Sequence, residues 1–317
     1  MTSLKIVEPR PTPALVRLLD DYDASLRARG RSKKTIQYGY GYPLREVFLP
    51  FCAEQGITAP VELTQKALDR LATQLLERGG KKGPLSKTTI HSYLRAVNHF
   101  LAWARADVDV PSPTGKAHLP KLPRRLLDTL SRDEIKGIEQ AADNERDQLI
   151  VRVLADTGIR LGELVALTIS DLVEQQGRKH YLKVRGKGDM ERLVAVPGLF
   201  MRLRRYADRV RPRDSGSKFL FLSRRRSAKT GAYEPLRESG VEQLIRDLGD
   251  KAGLTRRVYP HLFRHSFATE ALRRGMNPIQ LQNILGHASL AMISTTYSHL
   301  TPSDSHDAME VFLRASD

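Results

Sequence analysis

Apolar and polar positions alternate with a helical period over most of residues 12–106. PALVRLLDDYDASLRARG has apolar residues at helical spacing, and Gly30 is placed to end that helix. Ser32 can cap a second helix in SKKTIQYGYGYPLREVFLPFCAEQG. ELTQKALDRLATQLLERGG predicts a third, stopped by Gly79 and Gly80. SKTTIHSYLRAVNHFLAWARA predicts a fourth, capped by Ser86. The phrases SKKTI and SKTTI echo one another, but two copies are too few for a solenoid, so the echo reads as shared capping chemistry. The period then fails. Residues 107–126, DVDVPSPTGKAHLPKLPRRL, hold four prolines and predict a linker. Its basic end, KLPRR, could lie along a phosphate backbone or simply be solvated.

A second domain over 127–317 opens with LSRDEIKGI, where Ser131 and Glu134 form an S-x-x-E capping box. Helices are expected at about 131–142 and 145–157. Short strands follow at DLVEQQ, HYLKVR and ERLVAVP, the last two joined by GKGDM as a hairpin. Helices resume at about 198–209, 238–252, 262–274 and 278–285, with Pro278 after Asn277 marking the last start. The pattern is α+β, helices around a small antiparallel sheet. A chain of 317 residues fits two domains, 12–106 and 127–317, with a short tail at 1–11.

Charge sharpens this picture. Lys and Arg number 52 against 36 acidic residues, a net charge of +16. Residues 1–126 hold 21 of the basic and 11 of the acidic residues, and the remainder 31 and 25. Such a surplus suits a polyanion, because binding it releases counterions; a soluble surface is the plainer alternative. No apolar run approaches the roughly 18 residues of a membrane span, and the N-terminus lacks an apolar leader. The single cysteine, Cys52, lies among apolar neighbours and reads as a buried structural thiol. A chain with one cysteine suits the reducing cytoplasm.

Four places hold unusual polar groups. TGIRLGELVAL sets Arg160 and Glu163 three apart on an apolar helix start, either as an ion pair or with the arginine aimed at an anion. VRGKGDMERLVAVP sets Lys187 between two glycines, at a turn that is either ordinary or open to a ligand. YPHLFRHSFATEALRRG brings His261, Arg264 and His265 onto one helical turn. A zinc site there would want the Glu of H-E-x-x-H or a cysteine pair, and neither is present. His261 and Arg264 could instead hold a phosphate. LGHASLAMISTTYSHL adds His287 and Tyr297, where packing is the ordinary role of the tyrosine. Taken together, these groups suit attack on a phosphodiester. Fixed cations offset its charge and the charge that develops during reaction. A tyrosine titrating near about 10 needs help to lose its proton, and the leaving oxygen needs a donor. The sequence has no carboxylate cluster of the Mg²⁺ type, so no metal or other cofactor is expected.

The chain resembles the tyrosine recombinase, or phage integrase, family. The matching phrases are TGIRLGELVAL, GKGDMERLVAVP, HLFRHSFATEAL and LGHASLAMISTTYSHL, in the family's order over residues 157–300. One departure is Met190, where the pattern GKG-x-K-x-R often has a second lysine. Another is an interval from His287 to Tyr297 one residue longer than the commonest. The resemblance implies a mostly α, SAM-like core-binding domain followed by an α+β catalytic domain. It implies that Arg160 and Arg264 bind the scissile phosphate, with His261 beside them to help accept the nucleophile's proton. Lys187 would be the general acid, His287 would brace the phosphate and Tyr297 would attack it. Glu163 would support the site without touching DNA. The family's products arise through a 3′-phosphotyrosine link and a Holliday junction within a tetramer. The partners implied are double-stranded DNA with inverted-repeat half-sites and further copies of the chain, alone or with a second recombinase. In relatives a C-terminal helix docks on the neighbouring protomer, and Ala308, Met309, Phe312 and Leu313 have helical spacing; packing on its own domain is the alternative. A non-catalytic DNA-binding regulator and a type IB topoisomerase are the alternatives.

Overall fold

The structure, a computed structural model, describes residues 12–77, 79, 83–106, 113–122, 128–186 and 190–286. The chain divides into two compact units, Met1–Arg124 and Arg125–Asp317.

The first unit is helical. Helix α1, Pro13–Ala28, starts with Pro13 in the first turn and buries Leu15, Leu19, Tyr22 and Leu26 on one face. Where one long α-helix was expected next, the chain makes two wider π-helical segments, Thr35–Gly41 and Leu44–Phe48, before α2, Leu49–Glu54. Pro43 accounts for part of this change. It has no N–H to continue the α-ladder, and the Tyr42 amide bonds instead to the Gln37 carbonyl, five residues back. Helices α3, Gln65–Glu77, and α4, Lys87–Ala106, complete the bundle. The echoed phrases do share a cap: Ser32 Oγ accepts from the Thr35 amide and Ser86 Oγ from the Thr89 amide, each at 3.2 Å. Cys52 is fully buried, and burial pushes its thiol up to about 12, so it is inert at neutral pH.

An aromatic group stiffens this core. The Tyr22 ring lies 5.4 Å from Phe100 and 5.3 Å from Trp103, and its hydroxyl is 2.6 Å from His99 Nδ1. Residues 113–122 fall inside the expected linker, yet they are bonded to this unit. Asn98 Nδ2 donates to the Ala117 carbonyl at 2.9 Å, and the Ala117 amide donates back to Asn98 Oδ1 at 2.8 Å. Arg105 Nε donates to the Pro113 carbonyl at 2.7 Å. These side chains supply the partners that an irregular backbone lacks, and a periodicity argument cannot see them.

The second unit opens with α5, Arg132–Gln140. Its capping box is formed as expected, with Ser131 accepting from the Glu134 amide and Glu134 accepting from the Ser131 amide. Helix α6, Glu145–Thr157, is its buried centre: Leu149, Ile150, Val153 and Leu154 have no exposed surface. After the short α7, Leu161–Ala166, come β1, Leu172–Gln175, β2, Lys179–Arg185, and β3, Glu191–Ala195. They form an antiparallel sheet in the order β1-β2-β3. The register pairs Leu182 with Leu172 and Val194, which turns these residues and Val184 inward. Helix α8, Phe200–Arg205, runs into a π-helical turn, Tyr206–Val210. A hairpin of β4, Leu222–Arg226, and β5, Tyr233–Pro235, was not expected. Its exposed run Arg224–Arg226 carries no apolar alternation to announce a strand. Helices α9, Glu238–Lys251, α10, Pro260–Arg273, and α11, Pro278–Leu285, follow the predicted pattern closely. Among the described residues no helix is long and apolar enough to cross a membrane.

Gly158 joins this core to the site. It ends α6 with φ +60°, and a Cβ there would lie 2.6 Å from the Phe267 ring on α10. Gly158→Ala therefore meets both left-handed backbone strain and a collision. It is expected to lower the unfolding free energy by at least about 2 kcal/mol, measured by urea denaturation. An unchanged midpoint would show that α6 and α10 are not held at this distance.

A candidate active site of clustered guanidinium groups

The end of α6, the start of α7, the first turn of α10 and the last turn of α11 meet at one place. Each contributes for a local reason. Gly158 turns the chain sharply, so that Arg160 stands immediately before α7. Pro260 begins α10 and places His261 and Arg264 one turn apart. Gly286, with φ +64°, ends α11 and leaves its last carbonyls pointing out of the helix.

These carbonyls orient the arginines. Arg264 is buried. Its Nη1 donates to the Gly158 carbonyl at 2.6 Å and its Nη2 to the Leu285 carbonyl at 2.8 Å. Arg160 Nη2 donates to the Gly286 carbonyl at 2.9 Å. The negative end of the α11 dipole thus faces two cations. The bonds given for Arg264 take two of the five donors of its fork. Burial, and then the nearby charge of Arg160, pull the Arg264 guanidinium down to about 10, which leaves it charged at neutral pH. His261 is exposed at the edge of the group. Partial desolvation, then Arg264 and Arg160, hold its imidazole below the ordinary value, so the neutral form dominates at pH 7. Beside His261 a groove of about 370 Å³ is lined by Leu161, Glu242, Arg257 and Tyr259.

Among the described residues Glu163 is the acid at the centre of this arrangement, and it is buried. Its Oε2 accepts from the Arg160 amide at 2.8 Å and its Oε1 from Arg160 Nη1 at 3.0 Å. The local ion pair and the arginine aimed at a site are therefore compatible readings of Arg160. The sequence reading missed the second partner of Glu163, which is Arg192. Its Nη1 and Nη2 grip the two carboxylate oxygens at 2.9 and 2.8 Å. Burial pushes the Glu163 carboxyl upward, but the bonds from Arg192 and the Arg160 amide outweigh it and hold the group below the ordinary carboxylate range. A signal for Arg192 was present: a period of two puts it on the same face of its strand as Val194, the inward face.

Four of the seven expected site residues, Arg160, Glu163, His261 and Arg264, are thus brought together. Lys187, His287 and Tyr297 lie outside the described residues. Gly186 and Met190, which flank the Lys187 turn, are joined by a 2.8 Å backbone bond. Among the described residues, no group of three His, Cys, Asp or Glu side chains could hold a metal ion.

Known proteins share this sequence pattern and this fold. The phage integrase family model matches residues 128–304. The chain is 32% identical over 297 residues to tyrosine recombinase XerA of Pyrococcus horikoshii, covering 92% of each chain. It is 30% identical over 285 residues to tyrosine recombinase XerC of Oceanobacillus iheyensis, covering 86% of this chain and 88% of the relative. A crystal structure of XerA recombinase aligns over 94% of this chain and 98% of its own, with 32% identity and a TM-score of 0.51. The fold is also that of XerH site-specific recombinase bound to palindromic difH substrate, at 19% identity and TM-score 0.68 over 98% of both chains. The chain belongs to the phage integrase family. It is a tyrosine-type site-specific recombinase.

Removing the central acid strands two guanidinium groups. Glu163→Ala is expected to lower stability at neutral pH by about 3–5 kcal/mol, measured by chemical denaturation. The wild-type advantage should be present above the ordinary carboxylate pKa and fade as pH falls through the depressed folded value. A gap between the two proteins that is unchanged in acid would remove Glu163 from this role.

Proposed function

We propose that the chain cleaves and rejoins double-stranded DNA through its own tyrosine. Arg160 and Arg264 hold the non-bridging oxygens of the scissile phosphate, and His287 braces them. The Tyr297 hydroxyl attacks phosphorus while His261 helps to accept its proton. The bond from phosphorus to the 5′ oxygen breaks, and Lys187 gives that oxygen a proton. The product is a 3′-phosphotyrosine and a free 5′ hydroxyl. Ester energy is kept in the protein–DNA link, so rejoining needs neither ATP nor a metal. Glu163 supports Arg160 from behind.

The observation that carries this reading is the meeting of Arg160, Arg264 and a neutral-leaning His261 at the end of α11, immediately before His287. Two fixed cations, whose bonds among the described residues leave donors over, are what a phosphodiester needs on reaching a pentacoordinate state. A neutral imidazole can take a proton, whereas an imidazolium cannot.

In the wider reaction the first domain, 12–106, grips the core site while 127–317 does the chemistry. Four copies exchange strands through a Holliday junction on inverted-repeat half-sites, with the tail after 303 docking on a neighbouring protomer. The relatives' structures suit this scheme: lambda integrase has been captured as a tetramer bound to a Holliday junction, at 20% identity and TM-score 0.63. The surplus of basic residues supplies the phosphate contacts, and the reaction belongs in the cytoplasm.

A nicked suicide duplex tests the nucleophile. The wild-type protein should trap covalently on it. Tyr297→Phe should form no adduct while keeping its affinity in a gel-shift titration, and an adduct in that variant would assign the attack to another residue. A second substrate tests the acid. Lys187→Ala is expected to cleave ordinary DNA about 10²–10⁴-fold more slowly. It should recover most of that loss when sulfur replaces the 5′ oxygen, because a thiolate leaves without a proton. Equal slowing on both substrates would take Lys187 out of this role.

A further inference from the structure

Arg192 stands apart from the groups that would touch DNA. Strand parity puts it on the inner face of β3, opposite the buried Val184. A guanidinium there is costly unless every edge is used. Three of its nitrogens are bonded, to two partners. Nη1 and Nη2 bind both oxygens of Glu163, and Nε donates to the Ile284 carbonyl at 2.7 Å. The side chain is 13% exposed.

One side chain therefore ties together three segments. The first is the start of α7, where Glu163 also holds Arg160. The second is β3, which follows the turn carrying Lys187. The third is the last turn of α11, after which the chain runs to His287 and Tyr297. Gly286 fits the same contact closely. A Cβ on it would lie 2.9 Å from Arg192 Nη1 and 3.0 Å from its Cζ, so the helix end and the guanidinium touch without room for a side chain.

We propose that Arg192 is a positioning residue for DNA cleavage. It fastens the last turn of α11 to β3 and to Glu163, and so sets where the segment bearing the nucleophile begins relative to Arg160. It does not touch the reacting atoms, because its bonds go to a carboxylate and a carbonyl. Lysine cannot replace it, since a single ammonium lacks the planar fork and the third edge. The proposal rests on Tyr297 being the nucleophile.

The test uses the full chain with Arg192→Lys, Arg192→Ala and Gly286→Ala. Single-turnover adduct formation on the nicked duplex is followed at saturating protein. The rate constant should fall about 10²-fold, as for a misplaced reacting group, while the Kd for the same duplex stays within about threefold. Partial unfolding would lower the amplitude and leave the rate constant alone. Hydrogen exchange on the same proteins without DNA gives a readout that needs no chemistry. Amides of 281–286 should exchange about tenfold faster, the equivalent of one lost hydrogen bond, while those of 149–154 in α6 hold their wild-type rates. Wild type and Tyr297→Phe are run alongside. If wild type forms no adduct, the proposed function fails, and exchange alone decides the role of Arg192 as a fastener. Wild-type rate constants in Arg192→Lys, or exchange that rises equally in both helices or in neither, would overturn the proposal.

Discussion

The site depends on one buried carboxylate holding two guanidinium groups. Arg160, Arg192 and Arg264 bring three positive charges to the same pocket. Left alone they would repel, and the charge of Arg160 adds to burial in drawing the Arg264 guanidinium down. Glu163 cancels part of the charge and fixes direction as well. Because it bonds Arg160 through both the amide and the guanidinium, the residue is anchored at its backbone and at its tip. The outward carbonyls of α11 finish the work by giving the cations partners that carry no full charge. The pocket stays positive toward an incoming anion.

This balance explains why the folding core and the site are hard to separate. Gly158 ends a deeply buried helix and offers the carbonyl that orients Arg264. Gly286 ends another helix and exposes the carbonyl that orients Arg160. Two left-handed helix ends thus serve as ligands for two cations. Such termini have unpaired acceptors by construction, so a buried arginine such as Arg264 can be oriented by backbone carbonyls.

Much of this was legible in the sequence because the responsible signals are local. The capping box at Ser131 and Glu134, the proline start of α11, and the three strands all follow from short-range chemistry. The pairing of Arg160 with Glu163 was open to view for the same reason, being three residues apart on a helix start. What escaped depended on partners distant in the chain. Arg192 reaches Glu163 across 29 positions and Ile284 across 92. Its inward parity on β3 was readable, but the acid that makes it tolerable was not. Residues 113–122 read as irregular chain because their bonds come from Asn98, Arg105 and Leu63. The β4–β5 hairpin hid behind its arginines, and the π-helical turns keep enough helical spacing to pass as α-helix.

The aromatic group around Tyr22 has a practical corollary. The chain has a single tryptophan, Trp103, and it lies in the first unit against Tyr22 and Phe100. Intrinsic indole emission is consequently an optical label seated in that unit. Combined with circular dichroism, which sees both, it tells in one cuvette and without any dye whether the two units melt together or apart.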